Sequence, residues 1–182
     1  MATDEILRHN GCMNPRIAEA LNEQINKVFN TAFLYLACSV DLREYGMGGA
    51  GNWMRLHYHS ECAHALSLLD YMGQRRVAVK MPHISPTSYS WETPIDLFRI
   101  AEEHEKIITG VLHNLIVLCR EEQDFATEQQ LLPLVHQRVQ IEDSMAEILR
   151  ALSRCRKDAC ALLQLDEKIG GRAEGATPQP FR

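Results

Sequence analysis

RVAVKMPHISPTSYSWET, residues 76–93, is the stretch that separates one helical architecture from another. It carries Pro82 and Pro86 and no helical period, yet it lies between two long segments that read as helix. Proline lacks a backbone donor and clashes with the preceding turn, so this connection is not helical throughout. It is roughly as long as half a helix. A connection of that length can return the chain to its starting end, which makes the helices on either side of it parallel.

Working outward, the segment before it is predicted as a helix over about 49–76 and the one after it over about 94–121. A first helix spans about 15–43, a fourth about 125–154, and a short fifth about 159–169. Glycines cluster at 46–51 and 170–175, marking the first turn and the end of the fifth helix. The connections near 44–48 and 122–124 are short, so each joins antiparallel neighbours. These lengths give an all-α, up-down-down-up four-helix bundle over residues 15–169. An N-terminal extension (1–14) precedes it and a flexible tail (170–182) follows. Pro133 falls inside the fourth helix and is expected to kink it or delay its regular part.

Each long helix has a core stripe at spacings of three and four. The first runs through Ile17, Leu21, Gln24, Val28, Thr31, Tyr35 and Cys38, and the second through Met54, Tyr58, Glu61, Ala65, Leu68 and Met72. The third takes Phe98, Ala101, Glu105, Ile108, Leu112, Leu115 and Cys119, and the fourth Leu131, Leu134, Arg138, Ile141, Met145, Ile148 and Leu152. Glu61, Glu105 and Arg138 interrupt three of these stripes near the helix midpoints, and His64 sits beside Glu61. A rise of about 1.5 Å per residue brings all four to one level of the bundle. Buried charges must pair with one another or bind a metal. Glu61-x-x-His64 sets a carboxylate and an imidazole on adjacent turns of one face, half of the ligand set of a carboxylate-bridged di-iron bundle. The other helices offer Val28, Arg138 and Ile141, so the set is incomplete.

Composition narrows the partners. The chain has 182 residues with 19 Lys plus Arg against 24 Asp plus Glu, a net charge of −5, and no basic run. Nucleic acid is therefore not an expected partner. No apolar run approaches the roughly 20 residues that span a bilayer, and the start of the chain lacks the apolar core of a signal peptide. Six widely spaced cysteines without a CxxC pair read as inert thiols in a reducing cytoplasm.

LNEQIN (21–26), FLYL (33–36), DYM (70–72), HEKIIT (104–109), QDFAT (123–127) and EILRAL (147–152), with Glu61-x-x-His64, follow one another as in the bacterial non-haem ferritins. The chain resembles that family over about residues 13–169. The resemblance implies a 24-mer shell that oxidises Fe(II) and stores a ferric mineral, with the short fifth helix around its four-fold axis. It places the bridging glutamate and histidine of the family's di-iron centre on Glu61 and His64, the third-helix glutamate on Glu105 and the nearby tyrosine on Tyr35. The remaining ligands fall on Val28, Arg138 and Ile141, and the carboxylates of a third iron site on Ser60, Gln137 and Gln140. The metal ligands left are Glu61, His64 and Glu105, enough for weak or single-site iron binding. Arg138, turned inward, would neutralise Glu61 and Glu105 in place of the metals, a solution that resembles the light-chain ferritins of animals. Turned toward the shell cavity, it would leave those three free for one metal.

The other members of HYHSECAH (57–64) are secondary. His57 could orient Glu61 by a hydrogen bond or lie at a surface; His59 points away from the Glu61 stripe. Cys62 falls where bacterioferritins carry a haem-ligating methionine, but packing is the expected role and haem is not expected. His9 and Cys12 have no readable function. Three functions remain open: an iron-storage subunit with weak or absent ferroxidase activity, a structural or regulatory subunit assembling with a sibling ferritin, and a shell binding another metal such as zinc through His57, Glu61, Cys62 and His64.

Overall fold

A computed structural model describes residues 13–80, 83–84, 89–155 and 158–174, so His9, Cys12 and most of the N-terminal extension lie outside the described residues. The described chain forms five helices: α1 (Pro15–Glu44), α2 (Gly48–Gln74), α3 (Pro94–Glu121), α4 (Phe125–Cys155) and α5 (Ala159–Glu174). The first four make the up-down-down-up bundle. Among the described residues, no helix is long and apolar enough to cross a membrane.

The helix ends are written locally. Asn14 caps α1 by accepting the Arg16 N–H at 2.8 Å, with Pro15 in the first position, where its missing donor costs nothing. At the start of α3 the Asp96 carboxylate accepts both the Thr93 N–H (2.9 Å) and the Thr93 hydroxyl (2.7 Å). The chain leaves α1, α2 and α3 through one left-handed residue each: Gly46 (φ 94°), Arg76 (φ 55°) and Gln123 (φ 55°). Each turn is closed by backbone bonds such as Val77 N–H to Met72 O and Asp124 N–H to Cys119 O.

The crossover returns along α1. The Lys80 N–H donates to Asn22 Oδ1 at 2.8 Å, and nine residues later the Tyr89 hydroxyl donates to Asp41 Oδ2 at 2.7 Å. From Asn22 to Asp41 a helix rises about 28 Å, so the connection travels most of the bundle and α3 starts at the end where α2 started. At the opposite end Arg75 donates to Asp124 (3.1 and 3.2 Å) and to the Tyr71 hydroxyl (2.6 Å), tying the end of α2 to the start of α4.

Two apolar clusters fill the bundle. One contains Leu34, Leu42, Met54, Phe98, Met145 and Leu152; the other contains Ile17, Leu21, Leu68, Met72, Leu112 and Leu131. Between them sits a thin apolar layer of Val28, Ala65 and Ile108. Gly51 admits α1 closely: an added Cβ would stand 3.0 Å from the Ser39 carbonyl oxygen.

Two expectations change. The fourth helix begins at Phe125 and continues through Pro133, so of the two effects expected of that proline the delay does not occur. Proline deprives the Gln129 carbonyl of its helical donor, but both residues are exposed, so water can supply it. The fifth helix continues five residues past 169, to Glu174, so 170–174 are not tail; residues 175–182 lie outside the described residues.

Candidate metal centre

The layer between the two apolar clusters holds the polar residues that interrupt the stripes. Glu61 and Glu105 are buried on α2 and α3, and Arg138 is buried on α4 with only 2% of its side chain exposed. Arg138 reaches both carboxylates with its two terminal nitrogens. Nη2 donates to Glu61 Oε2 at 2.6 Å and Nη1 donates to Glu105 Oε2 at 2.7 Å. The Tyr35 hydroxyl, from α1, donates to the second Glu105 oxygen at 2.6 Å. His64 Nδ1 lies 3.4 Å from Arg138 Nη2 and 3.5 Å from Glu61 Oε1.

The electrostatics follow from one cation facing two buried acids. Burial opposes ionisation of Glu61, but the Arg138 charge and the bonds from His64 and Arg138 outweigh it and hold its carboxyl below the usual carboxylate range. Glu105 goes the other way: burial raises its carboxyl, Arg138 lowers it, and the neighbouring Glu61 charge raises it again, leaving it above the usual range. The Arg138 guanidinium is pushed up by Glu61 and Glu105 against the cost of burial. Tyr35 is raised by burial and by the adjacent Glu105, so it remains a hydrogen-bond donor at neutral pH.

These residues do not fit a di-iron centre. A guanidinium has no lone pair to give and cannot be neutralised in a protein. It stands between the two carboxylates, bonded to both. His64 Nδ1 faces both this guanidinium and Glu61 Oε1, at 3.4 and 3.5 Å. Val28 and Ile141, both buried, provide no donor atom. Among the described residues no three His, Cys, Asp or Glu side chains are grouped so as to hold a metal ion. Along α2, Glu61 and His64 are buried, His57 and Cys62 are half-buried and His59 is exposed.

His57 is half-buried, and its Nδ1 has no hydrogen-bond partner. Its ring stacks on Tyr35 (centroids 5.4 Å apart) and lies against Trp53 (3.9 Å). Burial, with the nearby Glu61 opposing and Arg138 and His64 reinforcing, lowers its pKa to about 4, so the ring is neutral at pH 7. Its neighbour Trp53 escaped the sequence reading, although a tryptophan four residues before His57 shares its helix face. Gln24 was read as part of the first stripe; it is buried and its Oε1 has no partner. Gln137 and Gln140 are exposed, Gln140 facing His136 at 3.2 Å, and Ser60 is half-buried.

Comparison with known proteins adds an independent line. The profile of the Ferritin-like domain matches residues 18–155. The bacterial non-heme ferritin of Bacteroides fragilis (strain 638R) is 28% identical over 160 residues, covering 88% of this chain and 99% of that protein. Its counterpart from Campylobacter jejuni is 29% identical over 115 residues, 63% of this chain and 69% of that protein. Among solved structures, the Archaeoglobus fulgidus ferritin engineered into a closed form superposes with a TM-score of 0.83 at 33% identity, over 87% of this chain and 96% of that one. The open-pore ferritin of the same archaeon gives 0.83 at 32% identity over the same shares.

Proposed function

The chain belongs to the ferritin family, and from that premise we propose that it is an iron-storage shell subunit, working in the cytoplasm, whose own centre oxidises Fe(II) weakly or not at all. The observation that carries this is the Arg138 bridge between Glu61 and Glu105, at 2.6 and 2.7 Å. Iron, here the cargo, would have to displace a permanent cation from two charge-assisted hydrogen bonds before it could share those carboxylates. Storage needs no such displacement, because iron that enters a closed shell can be oxidised slowly elsewhere within it. The Bacteroides fragilis relative supports the storage role, since it is a non-heme ferritin matched over 99% of its length.

The same bridge favours a second reading, in which the subunit assembles with a sibling ferritin that supplies the oxidation. Its buried acids are neutralised within the chain, so it can fill positions in a mixed shell without competing for Fe(II).

Oxygen uptake on adding Fe(II) to the purified protein tests the proposal. We expect uptake near the protein-free rate, and a large gain in a Val28→Glu, Arg138→Gln, Ile141→Glu variant, which restores donors on α1 and α4. Rapid, saturable uptake by the unmodified protein would reject the closed-centre reading. Iron retained after slow loading supports storage by the homo-oligomer; retention only when the chain is co-expressed with an active ferritin supports the mixed shell.

A further inference from the structure

The two glycine clusters that punctuate the sequence meet in space. Gly49, in the first turn of α2, lies against Gly170 of α5. A Cβ on Gly49 would stand 2.1 Å from the Asp166 carbonyl oxygen and 3.1 Å from the Gly170 nitrogen, and one on Gly170 would stand 3.0 Å from Gly49 Cα. The helices touch backbone to backbone, and no side chain fits between them at Gly49.

One turn before Gly170, the buried Asp166 turns its carboxylate onto the same place. Oδ2 accepts the Gly49 N–H at 2.9 Å and Oδ1 accepts the Ala50 N–H at 2.7 Å. First-turn amides have no acceptor within their own helix. A capping side chain ordinarily comes from the residue just before the helix, but Met47 in that position offers none. The acceptor instead comes from 116 residues further along the chain. Its negative charge also suits the positive end of the α2 dipole. Ile169, next to Gly170, is buried in the apolar cluster of Leu34 and Phe98, with Leu162 and Leu165 packed against that cluster.

We propose that α5 is a clamp that closes the start of α2: Asp166 supplies the missing cap, the Gly49–Gly170 contact sets its depth, and the first turn of α2 is ordered only while α5 is docked. Trp53, one turn further on, carries the effect inward, because its ring is the wall against which His57 packs. The end of the chain thereby helps to fix the neighbourhood of the buried ion pairs, whether or not the protein handles iron.

Amide hydrogen exchange on the full-length protein tests the clamp. In Asp166→Ala, exchange at Gly49 and Ala50 should rise by about tenfold or more, while the midpoint amides of α3 keep their protection. Gly170→Leu, which forces the helices apart but leaves the carboxylate, should do the same. If Asp166→Ala fails to fold, Asp166→Asn gives the reading: one acceptor oxygen survives, so one of the two amides should lose protection and the other keep it. Unchanged protection at Gly49 and Ala50 in any of these folded variants overturns the proposal.

Discussion

Arg138 is a residue whose side chain has no alternative to the place it occupies. Removing one member of a buried ion cluster leaves its partners uncompensated, which costs about 3–5 kcal/mol, far more than the loss of an exposed pair. Arg138→Met should therefore be strongly destabilised, and the pH dependence gives the signature. In the native chain Glu61 is held below its ordinary range, so its contribution to stability is present above the unfolded value and is lost as the pH falls through the folded one. Without the guanidinium, burial raises both carboxyls above their unfolded values. Their contribution is then present at low pH and disappears as the pH rises. The gap between wild type and Arg138→Met, measured by urea unfolding, should be narrow near pH 4 and wide at pH 7. A gap of equal width at both would mean that the arginine fills space rather than balances charge. At this scale the sequence was informative about Glu61, His64, Glu105 and Arg138, because polar residues in an apolar stripe announce themselves. It was silent about His57, because residue type does not distinguish a ring that bonds from a ring that stacks.

The helices were legible for the opposite reason, that their cues are local. Prolines 15 and 94 start α1 and α3, and the spacing of Ile17, Leu21, Val28 and Tyr35 fixes which face of α1 is inside. What defeated the reading was context. Pro133 is tolerated in α4 because the carbonyl it orphans belongs to an exposed residue, and α5 runs past 169 because Gly170 sits in a contact that wants no side chain. Glycine read as a stop signal was glycine used for close approach. The tolerance at 133 is itself measurable. Pro133→Ala restores a donor and removes a clash in an exposed helical position, so it should stabilise the protein by about 1–3 kcal/mol, seen as a higher midpoint in thermal unfolding. A neutral or destabilising result would mean that the surrounding bundle is fitted to a bent α4.

Taken as a whole molecule, the chain is not finished by its own folding. Ile107, Val117, Phe125 and Val139 are each more than half exposed on α3 and α4, apolar side chains that neighbouring copies would cover. Sedimentation should accordingly give a mass many times the 20.7 kDa of one chain; a stable monomer would contradict assembly. The subunit's shape could be inferred from connection lengths, but which surfaces are covered depends on copies that a single sequence does not describe. The Arg138 bridge has one more consequence at this scale. A bound ion stabilises a fold by mass action, in proportion to how far its concentration exceeds its dissociation constant. A counter-ion carried on the chain has no concentration and cannot be titrated away. The melting temperature of this protein should be the same in a strong chelator as in ferrous salt, whereas the Val28→Glu, Arg138→Gln, Ile141→Glu variant should melt higher as Fe(II) is added. Exchanging a diffusible cation for a tethered one uncouples the persistence of the subunit from the supply of the metal it stores.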